Sequence, residues 1–223
     1  MKLAHGFLLI SEFSKQRWTQ GPWKDRPRNA LTLYGGVAPL RFSPGPRPKL
    51  SRILYVGRIV PSRNVHHLLD ALPSGFGLDI AGIVYAEAYY RKLQEAARGK
   101  NVAFHPNLAA GALVELYRTA CATVLPITVD AGFTTALESL SCGTPVIGTV
   151  IGSLPEIVED GVTGFLIPPN DPAALREKIH YLLSNPFLSS EMGKRGREVV
   201  LKRFTWDLIA QNCLRAYKTG SAS

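Results

Sequence analysis

Between Ile53 and Thr149 the chain repeats one figure: a short apolar run, a glycine or turn, then a stretch of helical period. Ile53 to Val56, Gly77 to Ile83, Val102 to Phe104, Ala122 to Leu125 and Pro145 to Thr149 read as strands. Val65 to Leu72, Glu87 to Ala97, Ala112 to Thr119 and Thr134 to Ser141 read as helices. Alternating strands and helices join through right-handed crossovers and give a parallel sheet covered on both faces. The expected fold is therefore α/β, a Rossmann-like sheet with helices on either side. Such sheets take ligands at the carboxyl ends of their strands, which singles out the segments after Val56, Gly82, Leu125 and Thr149.

The flanks are less regular. Ser11 is placed to cap a helix running to Trp18, and Ala30 to Tyr34 reads as a strand stopped by Gly35-Gly36. Three prolines between Pro44 and Pro48 disfavour helix and central strand, so the stretch reads as a linker. Residues 1–50 are accordingly expected to form an N-terminal segment with its linker, 51–185 the sheet domain, and 186–223 a pair of C-terminal helices. Asp171-Pro172 is a favourable start, cap then first turn, for a helix ahead of them.

Residues 1–63 hold twelve Lys or Arg against Glu12 and Asp25, while the remainder is nearly neutral. That excess suits an anionic membrane surface, an acidic partner or a solvated basic face. No aromatic-rich basic module accompanies it, which argues against nucleic acid. No apolar run nears the roughly 20 residues of a membrane span. Cys121, Cys142 and Cys213 form no C-x-x-C pair, so a reducing, cytoplasmic compartment is expected, with peripheral membrane contact as an option.

Two segments carry chemistry. The first strand ends Val-Gly-Arg, with Gly57 before Arg58 and with Arg63 five residues on. Two guanidiniums at a strand end can clamp a diphosphate; they can also be ordinary loop arginines. The second segment runs from Asp130 to Glu138. Gly132 permits close backbone approach, and the amides of Phe133, Thr134 and Thr135 open a helix where anions are favoured. Glu138, one turn in, can accept both hydroxyls of a ribose, and Asp130 can take sugar hydroxyls. Gly152 allows similar close approach after the next strand, with Glu156 at the start of a short helix. His105 lies where it could touch a base or sugar. His66-His67 has no third ligand at metal spacing, so no metal site is expected.

Taken in order, ISEFSK, LYGGVAPLRFSP, ILYVGRIVPSRNVHHLLDAL, NVAFHP, LYRTACATVLP, CGTPVIGT and GSLPEIVEDGVTGFLIPPNDP resemble the retaining nucleotide-sugar glycosyltransferases of family 4, the glycosyl transferases group 1. The resemblance implies the C-terminal, donor-binding half of a two-Rossmann-domain GT-B enzyme. It implies that Arg58 and Arg63 bind the donor diphosphate, that Asp130 contacts the transferred sugar, and that Glu138 holds the ribose. It implies no cofactor beyond a substrate such as UDP- or GDP-hexose, and a sugar or lipid-linked acceptor. Retention would proceed through an oxocarbenium-like front-face displacement. The acceptor half would lie on a separate subunit or be missing, and the surface it leaves would favour self-association. The chain departs from the family at Asp130 (glutamate), Arg63 (lysine) and Asn64 (glycine). A nucleotide-sugar-binding scaffold without turnover is the alternative.

Overall fold

The computed structural model describes residues 7–20 and 30–220. Its strands are β1 (Phe7–Leu9), β2 (Ala30–Thr32), β3 (Arg52–Val56), β4 (Gly77–Gly82), β5 (Val102–Pro106), β6 (Ala122–Leu125), β7 (Val146–Thr149) and β8 (Gly164–Ile167). Its helices are α1 (Glu12–Gln20), α2 (Val65–Ala71), α3 (Glu87–Ala96), α4 (Ala110–Thr119), α5 (Phe133–Ser141), α6 (Pro172–Ser184), α7 (Pro186–Arg203) and α8 (Trp206–Gly220).

β3 to β8 form a six-stranded parallel sheet in the order β5-β4-β3-β6-β7-β8. The chain builds outward from β3 through β4 to β5, then returns and starts again at β6 on the other side. The α/β expectation holds, with one strand added: β8, a short run in register with β7 (Val146 opposite Gly164). Gly164 is required there, since a Cβ would sit 2.0 Å from the carbonyl oxygen of Val146.

The pleat explains the layers. On β3, Ile53 and Tyr55 point into one core with Leu68, Leu69, Leu93, Ile179 and Leu182, from α2, α3 and α6. Leu54, one residue out of phase, points into the other with Tyr117, Leu137, Leu140 and Val200, from α4, α5 and α7. Alternation of two residues on a strand against 3.6 on the helices is what produces the three layers. α6 starts as its sequence dictates: the Asp171 carboxylate accepts from Ala174 N at 2.9 Å, with Pro172 in the first turn.

The proline-rich stretch is packed rather than loose. Val37 and Phe42 are core residues, Arg118 donates to the Ser43 carbonyl at 2.7 Å, and Lys49 turns its amine inward to Thr144 Oγ1 and the Tyr117 carbonyl. Burial lowers the Lys49 ammonium from 10.5 to about 8. The unfolded chain therefore binds more protons between those values, and stability rises with pH across that window. Compared with Lys49→Met, the parent should gain about 3 kcal/mol in urea unfolding between pH 7 and 10.5; Cys142 and the buried tyrosines, whose raised groups act the other way, are common to both proteins and cancel in the difference.

Among the described residues, β1, α1 and β2 make a separate two-stranded parallel unit, Phe7 opposite Ala30. Ser11 caps α1, its Oγ accepting from Ser14 N at 3.0 Å. Leu8, Ile10 and Leu31 are exposed on this unit. Part of the basic N-terminal quarter, residues 1–6 and 21–29, lies outside the described residues. Among those described, no helix is long and apolar enough to cross a membrane.

Candidate functional site

The order of the sheet puts the switch point between β3 and β6, where successive crossovers leave in opposite directions and open a crevice at the carboxyl ends. Both segments singled out in the sequence end there, one from each strand.

From β3 the backbone runs through Gly57 and Arg58 into a 3₁₀ turn, Pro61–Arg63. Tyr55 supports this loop from below: its buried phenol donates to the Arg58 carbonyl at 2.9 Å and sits against Gly57, where a Cβ would meet it at 2.9 Å. Arg58 is exposed, whereas Arg63 is half-buried and its Nη1 has no hydrogen-bond partner. Burial, and then the Arg58 charge, pull the Arg63 guanidinium down from its ordinary value. A buried donor without a partner is costly, and two like charges side by side add to the cost. Both costs fall when an anion enters.

Asn64 closes the turn at φ 54, a left-handed conformation that glycine and asparagine tolerate best. Asparagine, where the resemblance implies glycine, thus preserves the backbone, and it adds a tether. Its Nδ2 donates to the Pro126 carbonyl at 3.1 Å and reaches Thr128 Oγ1 at 3.4 Å. The loops after β3 and β6 are therefore fixed to one another. Thr149 ties in the loop after β7, donating to the Ile127 carbonyl at 2.6 Å.

From β6 the chain passes the exposed Asp130 and turns at Gly132, φ 79, into α5. No side chain caps α5, so the amides of Phe133, Thr134 and Thr135, at the positive end of the helix, have no side-chain acceptor at the cap. Phe133 stacks on Tyr34, 6.1 Å between centroids, and Gly35 passes close beneath it. Glu138 is half-buried and accepts from the Tyr117 phenol at 2.9 Å. Burial raises its carboxyl above the usual range, while Tyr117 and Arg41 oppose that shift.

Asp130 is partly engaged. Its Oδ1 accepts from Ser153 N at 3.1 Å and Ser153 Oγ at 3.2 Å, leaving Oδ2. Gly152, φ 61, makes the contact possible, because a Cβ there would sit 2.0 Å from Oδ1. Glu156 does something its position in the sequence did not suggest. It lies in a 3₁₀ turn, Leu154–Glu156, yet it accepts from Glu12 N at 2.9 Å and Phe13 N at 2.8 Å, capping α1 across 144 residues.

His105 stands apart from this group. It lies within β5, not after it, and its Nε2 is 2.8 Å from Asp79 Oδ1. Arg52 holds the same carboxylate through Nε at 2.7 Å. His66 bonds through Nδ1 to the Tyr89 hydroxyl at 2.9 Å. No group of three or more His, Cys, Asp or Glu suited to a metal ion exists among the described residues.

The residues singled out in the sequence thus lie on the loops after β3 and β6; Asn64 was noted there only as a departure, and Tyr55, Tyr117 and Ser153 were missed. Asn64 had a local cue, asparagine directly after a Pro-Ser-Arg turn. Tyr117 and Ser153 had none, since each acts on an acid about twenty positions away.

The family model for "Glycosyl transferases group 1" matches residues 38–199. D-inositol 3-phosphate glycosyltransferase of Geodermatophilus obscurus is 30% identical over 86% of this chain and 47% of its own length. Alpha-maltose-1-phosphate synthase of Mycobacterium tuberculosis is 28% identical over 78% of this chain and 49% of its own. The chain spans about half the length of the curated relatives it matches. Among solved structures, sucrose-phosphate synthase from Thermosynechococcus elongatus superposes with a TM-score of 0.85 at 26% identity, over 97% of this chain and 58% of that one. Anabaena HepE, in complex with UDP and glucose, gives 0.87 at 19% identity, over 97% of this chain and 64% of that one.

Proposed function

The chain belongs to the glycosyl transferases group 1 family, and on that premise we propose that it is the donor-binding half of a retaining family 4 glycosyltransferase. Its substrate is a nucleotide-sugar such as UDP- or GDP-hexose, and its acceptor a sugar or a lipid-linked sugar. The observation that carries this is the half-buried Arg63, its Nη1 without a partner, set beside Arg58 in the loop after β3. Anabaena HepE has the same fold and binds UDP, UDP-glucose, or UDP with glucose, which supports a nucleotide-sugar in this crevice.

Each residue then has a role. Arg58 and Arg63 clamp the diphosphate, and the amides of Phe133, Thr134 and Thr135 complete the anion cradle with Gly132 and Gly152 admitting the ligand. Glu138 takes the ribose diol. Asp130, through Oδ2, takes a hydroxyl of the sugar. As the bond to the anomeric carbon breaks, negative charge gathers on the leaving phosphate, and the fixed cations stabilise it where it forms. The sugar, oxocarbenium-like, is met from the same face by the acceptor hydroxyl, whose proton passes to the leaving phosphate.

In this reading the acceptor half corresponds to the part of the relatives that this chain does not span. The two-stranded β1–α1–β2 unit supports this: parallel sheets are ordinarily larger and covered on both faces, and here Leu8, Ile10 and Leu31 are open. That surface also favours self-association, and the basic N-terminal quarter favours an anionic membrane. Alone, the chain is expected to bind donor and barely turn it over, for want of orientation and water exclusion.

Isothermal calorimetry against UDP, GDP and their hexose conjugates tests the reading. Micromolar binding of at least one is expected; silence from all would overturn it. A scaffold without turnover is the second reading, favoured by the bonds Ser153 already makes to Asp130. It predicts that Asp130→Glu, measured with an acceptor half present, adds no activity.

A further inference from the structure

We propose that Tyr117, which touches no ligand, is a positioning residue: it turns Glu138 so that one carboxylate oxygen faces the ribose. This rests on the reading that Glu138 holds that ribose.

Tyr117 lies in α4, 21 residues before Glu138, and is fully buried. Its phenol donates to Glu138 Oε2 at 2.9 Å. A carboxylate one turn inside a helix can rotate about several bonds. With Oε2 occupied from the core side, that freedom is lost and Oε1 is left for hydroxyls. Two neighbouring hydroxyls need one oriented acceptor, not a mobile one.

The tyrosine is itself held at both ends. Its ring meets Phe42 edge-on, centroids 6.2 Å apart. Its carbonyl accepts from Thr144 Oγ1, and Lys49 Nζ in turn bonds that threonine. Thr144 belongs to the Cys-Gly-Thr-Pro-Val segment, which no donor contact accounts for. Its backbone is tied to α5: Thr144 N donates to the Ser139 carbonyl at 3.0 Å, and Ser139 Oγ donates to the Thr144 carbonyl at 2.9 Å. The segment is thus a splice between α4 and α5. It sets the distance from the Tyr117 phenol to Glu138, and its hydroxyl and carbonyl are used for that purpose.

The test uses the whole chain and two probes, UDP and 2′-deoxy-UDP, titrated by calorimetry. A carboxylate hydrogen bond to the 2′-hydroxyl should make the wild type prefer UDP by about tenfold or more. Tyr117→Phe should cut that preference to about twofold while leaving 2′-deoxy-UDP affinity near its wild-type value. Glu138→Ala should abolish the preference, and Tyr117→Phe added to it should change nothing further, since coupled residues are not additive. A tyrosine that only supports the core would weaken both probes equally, and an unchanged ratio in Tyr117→Phe overturns the proposal. Thermal melting confirms that each variant is folded. Should Tyr117→Phe not fold, Tyr117→Met is read by the same ratio: a preference cut to about twofold is expected, and an unchanged ratio overturns the proposal. Should the chain bind GDP and not UDP, the pair is GDP and 2′-deoxy-GDP; a wild type that binds neither pair fails the donor reading itself, and one that prefers the ribonucleotide with an indifferent Tyr117 fails only this inference.

Discussion

Arg63→Met is expected to weaken UDP binding by about a hundredfold, the size of a lost charge-assisted hydrogen-bond pair, while raising the melting temperature of the free chain. The two effects have one cause. In the free protein Arg63 is half-buried beside Arg58, and its Nη1 has no partner. Methionine keeps the apolar stem, removes the unpaired donor and ends the repulsion from Arg58. With UDP bound, the same guanidinium meets phosphate oxygens and the unpaired donor is satisfied. Calorimetry and melting with and without UDP measure both halves. A variant that binds UDP normally would mean that the diphosphate lies elsewhere. A variant that melts lower than the parent would mean that Arg63 is satisfied in the free fold.

Gly82→Ala is expected to destabilise the fold by about 3 kcal/mol or more and to abolish nucleotide binding with it. A Cβ on Gly82 would lie 1.8 Å from the carbonyl oxygen of Gly57 and 2.8 Å from its carbon. Neither atom can yield, because both belong to paired strand ends. Gly57 N donates to the Ala81 carbonyl at 3.0 Å, and Ile59 N to the Ile83 carbonyl at 2.9 Å. Relieving the clash separates β3 from β4 at the place where Arg58 leaves the sheet. Gly111→Ala in α4 is the contrast: its Cβ meets nothing within 4 Å, so it should stabilise by about half a kcal/mol through helix propensity. Urea unfolding of the two variants reads the difference, and equal stability would show that the β3–β4 spacing is soft.

Local pattern made the sheet legible. β3 to β7 announce themselves as apolar runs closed by glycine or a turn, and the period of each crossover helix is clear. β8 escaped because Phe-Leu-Ile after Gly164 is too short to show a period, and its identity comes from pairing with β7. β1 escaped likewise, being a patch of three residues whose partner, β2, lies beyond α1. For the crevice, charge and glycine spacing pointed to Arg58, Arg63, Asp130 and Glu138, and family resemblance gave them roles. What remained hidden were side-chain partners distant in sequence: Ser153 on Asp130, Tyr117 on Glu138, Asp79 on His105, Glu156 on α1. No periodicity encodes such pairs, since they exist only once the sheet has brought two loops or two helices together. Asn64 shows the opposite case, in which an apparent departure from the family is explained by one dihedral angle.

The cap that Glu156 places on α1 bears on the order of events when the chain folds. Two of the helix's first amides find their acceptor only after β7 and the turn that follows it are in place. A nine-residue helix is marginal on its own, and closing a loop of 144 residues early would be entropically expensive. The sheet from β3 to β8, made of nearer contacts, therefore assembles first. The β1–α1–β2 unit docks late, once the turn that carries Glu156 has formed.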